Sequence, residues 1–246
     1  MKEIDYEHQA EKWQRDKKEN IGDFTHRPII LTFIKRLGKD KIILDVGCGE
    51  GYLTRRMARF ANKIIGVDKS KKMIGLALEK ERKSPLGIKY YVGNIKKMSF
   101  LSNNLIDLCV GAVVINYLDS KSLDRFLKEL KRVLKSNGKF IFSLPHPVFA
   151  LQKIYGEALL WDVKNYDYFE SRNKFFKATT KTITGKIQEV GMYHRTFEDL
   201  ISAFSKKDLK ITGLRETVIS KKLVEKFSFL KGYEGISPYV IIVGEK

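Results

Sequence analysis

The stretch Leu44-Asp45-Val46-Gly47-Cys48-Gly49-Glu50-Gly51 decides the fold. It follows a short apolar run, Lys41 to Val46 (KIILDV), bounded by polar residues, which is the pattern of a strand buried on both faces of a parallel sheet. Helical patterning resumes from Arg55 to Phe60. The glycines therefore sit in a strand-to-helix turn, where the absence of Cβ lets the backbone turn tightly and a ligand approach closely. Downstream, Lys63 to Val67 (KIIGV) reads as a second strand and ends at Asp68, an acid at the spacing suited to ribose hydroxyls.

The alternation continues outward from this unit. Ser70 caps a helix that carries Met73, Ile74, Ala77 and Leu78 on one face. Ile88 to Val92 and Ile106 to Val110 read as the third and fourth strands. An apolar stripe (Leu123, Phe126, Leu127, Leu130, Val133, Leu134) predicts a helix, with Asn137-Gly138 as its left-handed stop. Lys139 to Leu144 is the fifth strand, ended by Pro145. Repeated strand–helix alternation predicts an α/β fold with a doubly wound, mostly parallel sheet. Upstream, Ile29, Ile30, Phe33, Ile34 and Leu37 recur at helical spacing, with Pro28 expected at the first helical position and Gly38 ending the helix. Thr196 and Asp199 form a capping-box-like start for a later helix, and Leu209 to Thr217 and Tyr239 to Val243 are the final strands.

Composition narrows the class. With 246 residues, 43% of them hydrophobic, the chain can bury a full α/β core. Two cysteines, Cys48 and Cys109, make neither a disulfide framework nor a metal pattern, and both are expected to pack rather than react. The N-terminus alternates charges without an apolar core, and the apolar run Val110 to Leu118 is too short to span a bilayer. The expectation is a cytoplasmic protein without membrane contact. The formal charge of +18 draws anionic partners, although the lysines are spread along the chain rather than gathered in one block.

The glycine loop is not a nicotinamide fingerprint, since Gly47-x-Gly49-x-Gly51 lacks the third glycine of G-x-G-x-x-G in register, and no Gly-Lys-Ser/Thr follows for a phosphate loop. With Asp45 two residues before the first glycine, it resembles the loop of class I, Rossmann-like S-adenosylmethionine-dependent methyltransferases, in particular small-molecule "methyltransferase type 11" members. Further stretches carry the resemblance. Val92-Gly93-Asn94-Ile95 is similar to the family's adenine-binding turn, with Asn94 where an aspartate is usual. Asp107-Leu108-Cys109-Val110-Gly111 resembles its fourth-strand motif, and Leu130 to Lys139 its helix-to-strand junction, with Asn-Gly in place of Gly-Gly. The resemblance implies a seven-stranded sheet with its last strand antiparallel, and S-adenosylmethionine as cofactor, released as S-adenosylhomocysteine. It places Asp45, Gly47, Cys48, Gly49, Asp68, Lys69, Met73, Asn94, Ile95 and Gly111 along the cofactor.

Residues 145–195 interrupt the rhythm and are rich in aromatics, among them Phe149, Tyr155, Trp161, Tyr166, Tyr168, Phe169, Phe175 and Phe176. The expected organisation is one domain: an N-terminal helical segment (1–38), a cofactor-binding core (39–144), an inserted substrate lid (145–195) and a closing helix with strands (196–246). Tyr6 and Trp13 fit either an N-terminal lid or a surface helix. His146, held between Pro145 and Pro147 at the carboxyl end of the fifth strand, and His194 are the candidate catalytic groups, as base or orienting residues. No metal is expected. The reading is methyl transfer to an oxygen, nitrogen or carbon nucleophile of a small molecule. The alternative is an RNA methyltransferase, supported by net charge alone; the Asn/Asp-Pro-Pro-aromatic stretch of many base-amine methylases is absent, Gly111-Ala-Val-Val-Ile-Asn116-Tyr117 standing there instead. A non-catalytic cofactor-binding protein is disfavoured by the intact motifs.

Overall fold

A computed structural model describes residues 4–148, 159–161 and 166–246. Strands β1 (Ile42–Val46), β2 (Lys63–Asp68), β3 (Lys89–Val92), β4 (Ile106–Ala112) and β5 (Leu134–Pro145) pair in parallel; all but the edge strand β3, where Tyr91 and Val92 are exposed, are apolar enough to be covered on both faces. Three more strands, β6 (Leu159–Trp161), β7 (Phe175–Lys181) and β8 (Ile187–Tyr193), form a separate antiparallel sheet in the order β6-β7-β8. The chain then closes the main sheet with β9 (Lys210–Glu216) and β10 (Tyr239–Glu245). The main sheet has seven strands in the order β3-β2-β1-β4-β5-β10-β9, and β10 runs antiparallel to both its neighbours. This is the doubly wound α/β fold expected of the sequence.

Side-chain alternation sends Ile43 and Ile141 to one face of the sheet and Leu44 and Phe142 to the other. Helices α2 (His26–Leu37), α3 (Tyr52–Ala58) and α4 (Lys71–Lys83) cover the first face through Ile30, Ile34, Met57, Ile74 and Ala77. Helices α5 (Ser120–Val133) and α6 (Phe197–Ser205) cover the second through Phe126, Leu127, Leu130, Leu200 and Phe204. Phe126 meets Phe142 edge-on at 5.7 Å between ring centroids. The chain winds outward from β1 through β2 and β3, then returns to build β4 and β5 on the other side. Loops leaving β1 and β4 therefore diverge, and the crevice between them is where such sheets take ligands.

The structure corrects several boundaries. Helix α2 starts at His26 behind Thr25, so Pro28 is its third residue; proline is still tolerated there because first-turn amides lack intrahelical acceptors. Helix α5 ends at Val133, and Leu134 already has extended backbone. Asn137 is left-handed (φ 62°) as expected, but it bends the start of β5 rather than stopping the helix. The expected capping box at α6 is present, with Asp199 N–H donating to Thr196 Oγ1 at 3.1 Å and Thr196 N–H donating back to Asp199 Oδ2 at 2.9 Å. Residues 218–238 carry a short helix, α7 (Lys221–Lys226), and a satellite core around Ile21, Ile219, Leu230 and Tyr233 that patterning did not reveal.

Phe126→Ala should lower unfolding free energy by about 3–5 kcal/mol, the range for emptying a buried phenylalanine site. Lys128→Ala, on the exposed face of the same helix, should stay within about 0.5 kcal/mol. Urea denaturation followed by circular dichroism checks both.

Candidate active site

The turn after β1 is held by its own backbone. Gly47 and Cys48 N–H both donate to Val67 O, at 2.8 and 3.1 Å, and Gly49 N–H donates to Asp68 Oδ2 at 2.9 Å. Gly47, Gly49 and Gly51 have φ of 66°, 55° and 81°, a left-handed run that L side chains resist. At Gly47 a Cβ would also lie 2.4 Å from Val114 Cγ2, so the loop of β1 and the segment after β4 touch there only because glycine is present. Val113, beside this contact, is itself left-handed (φ 59°). For a β-branched residue that is strained backbone, and its N–H donation to Ser143 O at 2.8 Å helps hold it.

This loop forms one wall of a cavity of about 300 Å³. Asp45, Gly47, Cys48, Gly49, Asp68, Lys69, Met73, Asn94 and Ile95 all line it, so nine of the ten residues expected along the cofactor are brought together. Gly111 is not among them. A Cβ there would lie 2.7 Å from Val114 and 2.8 Å from Phe142, so its smallness serves packing under the wall. Asp68 accepts from Gly49 N–H and, through Oδ1, from Ser70 N–H at 2.9 Å. Asp45 Oδ2 accepts from Thr54 Oγ1 at 2.6 Å. Burial raises the pKa of both acids, that of Asp45 to about 7, and the negative charge of Asp68 adds to the shift at Asp45. Burial likewise pushes the Cys48 and Cys109 thiols well up, which makes them poor nucleophiles.

The two histidines stand elsewhere. His146 is buried and does not line the cavity; its Nε2 meets Glu216 Oε1 at 2.7 Å, its Nδ1 accepts from Val148 N–H at 3.2 Å, and its ring packs against Phe197. Pro145 lines the cavity, but the imidazole that follows it does not. His194 is also off the cavity wall, between Tyr166 Oη at 2.7 Å and Tyr168 O at 2.8 Å. Burial lowers its pKa. In place of the histidines the wall holds Tyr6, Trp13, Arg15, Asn20, Arg27, Tyr52 and Tyr117, which sequence patterning did not select apart from Tyr6 and Trp13. The Tyr6 hydroxyl donates to that of Tyr117, joining helix α1 (Tyr6–Trp13) to the segment after β4. Glu7 of α1 accepts from Ser70 Oγ at 2.6 Å and Lys72 N–H at 3.2 Å, and Gln188 donates to Lys12 O at 2.8 Å. Phe175, Thr180, Val190 and Gly191 bring β7 and β8 to the same wall. Of the aromatics expected in the lid, Phe149, Tyr155 and the side chain of Trp161 lie outside the described residues.

Comparison with known proteins agrees with this geometry. Residues 44–142 match the methyltransferase domain family. A protein of uncharacterised function from Methanocaldococcus jannaschii is 26% identical over 247 residues, covering 98% of this chain and 89% of its own. A malonyl-[acyl-carrier protein] O-methyltransferase of Halalkalibacterium halodurans is 36% identical over 125 residues, which is 48% of this chain and 45% of that protein, so less than half of that relative is spanned. The crystal structure of an S-adenosylmethionine-dependent methyltransferase from Mesorhizobium loti superimposes with a TM-score of 0.66 at 18% identity, over 89% of this chain and 96% of that one. The fold is that of class I S-adenosylmethionine-dependent methyltransferases, and the match over residues 44–142 marks the glycine-loop cleft as a methyltransferase site that takes S-adenosylmethionine. The site suits that molecule: its sulfonium and ammonium are cationic, and the cleft presents two acids, Asp45 and Asp68, whose pKa values burial raises and a bound cation would lower.

A raised pKa has a testable sign. In the native state Asp45 binds a proton up to about pH 7, whereas unfolded it releases it near 3.8. Its stabilising contribution is therefore complete below the unfolded value and is lost as pH rises towards 7. Compared with Asp45→Asn, the ligand-free wild type should lose stability between about pH 4 and 7 and run parallel above it; equilibrium unfolding across that range is the measurement. Parallel curves throughout would mean that Asp45 titrates in the folded protein as it does in the unfolded chain.

Proposed function

We propose that the enzyme methylates a small-molecule acceptor bound between the glycine loop and the roof made by α1, β7 and β8. The carrying observation is the roof itself: Tyr6 and Trp13 of α1, with Phe175, Val190 and Gly191 of the second sheet, line the same cavity as the cofactor loop. A cleft covered this way suits a ligand that can be enclosed, as in a typical small-molecule site. The names of relatives such as the malonyl-[acyl-carrier protein] O-methyltransferase are in keeping with this reading. Among the described residues no helix is long and apolar enough to cross a membrane.

The residues divide by chemistry. Asp68 offers its remaining carboxylate lone pairs to the ribose hydroxyls, its other bonds being spent on Gly49 and Ser70. Ile95 and Met73 would give the adenine an apolar contact, and Asn94 and Lys69 on the same wall could meet its polar edge. Gly47 and Gly49 would leave room for the methionine portion, and Asp45, protonated up to about pH 7 in the empty cleft, would ionise more readily beside a bound cation. When bound, the cofactor supplies an activated methyl with a good leaving group. The protein then has to align the nucleophile and exclude water, an effect worth several kcal/mol. The Tyr6–Tyr117 pair closes the space beside the loop, and burial raises the pKa of both hydroxyls, so both stay neutral, the Tyr6 proton being spent on Tyr117. His146 and His194, each occupied by other partners, take no part in this proposal.

Asp68→Asn should weaken S-adenosylhomocysteine binding by about 1.5–3 kcal/mol, the range for hydrogen bonds to a charged group, as read by calorimetry. Unchanged affinity would remove Asp68 from the cofactor site. For the acceptor, the enzyme is incubated with methyl-labelled cofactor and a size-fractionated cell extract. Label should enter the fraction below about 1 kDa, the scale of an enclosed ligand. Label fixed instead at a defined position in RNA would replace the small-molecule reading with the nucleic-acid one.

A further inference from the structure

The cavity runs farther along the sheet than the glycine loop. Asp68 ends β2, Gly47 follows β1, Ala112 ends β4, Pro145 ends β5 and Tyr239 opens the antiparallel β10, and all five line it. Neighbouring strands lie about 4.8 Å apart, so in the order β4-β5-β10 Tyr239 stands about 10 Å beyond the end of β4. The wall residues that suit the cofactor come from the turns after β1, β2 and β3. The cofactor's own carboxylate would meet Arg15 and Arg27 on that part of the wall, Arg27 being among the charges that act on Asp45. The stretch in front of β5 and β10 is then left for the methyl acceptor.

Tyr239 brings a hydroxyl to that stretch that makes no hydrogen bond among the described residues, whereas the Tyr6 hydroxyl is spent on Tyr117. The residue is nonetheless fixed. Tyr239 N–H donates to Thr217 Oγ1 at 3.2 Å, and its carbonyl accepts from Thr217 N–H at 2.9 Å. Its ring packs on that of buried His26 at 4.4 Å between centroids, and His26 Nδ1 is tied to Ser143 Oγ at 2.8 Å. Burial drives the pKa of His26 well below its usual value, so this support is neutral. The surroundings are apolar: Ile21 and Val190 share a hydrophobic cluster with Tyr239 and line the cavity, and Pro145 stands opposite it in the β5–β10 register. The charges of Arg27 and Asp23 act on the hydroxyl with opposite signs, and burial pushes its pKa up to about 12, so it keeps its proton at neutral pH. A rigid donor with nothing to donate to, set in an apolar recess, is the kind of group that fixes a ligand's orientation.

We infer that Tyr239 binds the methyl acceptor, its hydroxyl donating to an uncharged carbonyl oxygen other than the atom methylated. This rests on the small-molecule reading above. An anion would give up its hydration for a single neutral donor, at a place where the charge of Arg27 is already offset by Asp23. An alcohol would bring a proton of its own in need of a partner; a carbonyl brings none, which suits Ile21, Val190 and Pro145 as neighbours. A hydrogen bond on the attacking atom would occupy the lone pair that must reach the methyl group. On a neighbouring atom it leaves the nucleophile free and fixes its direction.

The probes are acetophenone, which carries the carbonyl, ethylbenzene, which has nearly its shape without one, and benzoate as the anion. Each is titrated into protein loaded with S-adenosylhomocysteine and followed by saturation-transfer NMR. Acetophenone should bind saturably, and benzoate no tighter. Tyr239→Phe, which removes only the hydroxyl, should weaken acetophenone at least about threefold, the scale of one neutral hydrogen bond. The same change should leave ethylbenzene and S-adenosylhomocysteine within about twofold of the wild type, because neither depends on that hydroxyl. If thermal melts show that Tyr239→Phe does not fold, nuclear Overhauser contacts between acetophenone and the Tyr239 ring of the wild type decide instead. No saturable binding of acetophenone, tighter binding of benzoate, equal losses for acetophenone and ethylbenzene, or absent contacts to the ring would each overturn the assignment. Should S-adenosylhomocysteine fail to bind the wild type, the cofactor reading falls, and acetophenone titration of the unloaded protein still decides Tyr239. Methyl label fixed in RNA would remove the small-molecule reading whatever the probes do.

Discussion

The hydrogen bond from Gly49 N–H to Asp68 Oδ2 is the contact on which the site depends. It ties the turn after β1 to the end of β2, while two further amides of the same turn converge on Val67 O. The turn can take this shape only in a left-handed run, and only with no side chain at Gly47 where Val114 approaches. The bond also spends one lone pair of Asp68 in a place where burial already disfavours its charge. Loop geometry and electrostatics are therefore the same fact seen twice: the amide that orders the loop helps keep the acid ionised beside it.

Around that contact the cleft is divided by charge. On one side lie Asp45 and Asp68, whose pKa values burial raises; on the same wall lie Arg15 and Arg27, two guanidiniums sharing the carboxylate of Asp23. Both halves depart from the usual rule that buried charges are matched. The roof ties the halves together, since Glu7 of α1 bonds to the segment after β2 while Tyr6 reaches Tyr117.

The basic composition reads differently once the fold is known. Several arginines and lysines are spent on the protein's own groups, as the partly buried Arg132 on Met98 and Leu101 carbonyls and Glu129, buried Arg195 on the Leu118 carbonyl, and exposed Lys135 on Asp107. Burial lowers the pKa of Arg195 to about 10, still fully charged at neutral pH. A count of charges cannot separate such internal uses from a surface that attracts polyanions.

By itself the sequence determined the sheet, its strand–helix alternation and the cofactor loop, because these rest on local rules: apolar runs for buried parallel strands, helical stripes, and glycines where the backbone must turn left. Asp68 was legible for the same reason, standing a fixed distance along one βαβ unit. The histidines were not, since strand position says which edge a residue occupies but not whether Glu216 and Val148, brought in from elsewhere, have claimed its ring. Likewise Arg15 and Arg27 sit in a stretch of alternating charge that reads as a solvated helix surface. Only tertiary packing, which folds residues 4–27 over the crevice and buries their guanidiniums against Asp23 and Tyr52, turned them into a wall of the site. Such contacts join residues tens of positions apart, and no local pattern encodes them.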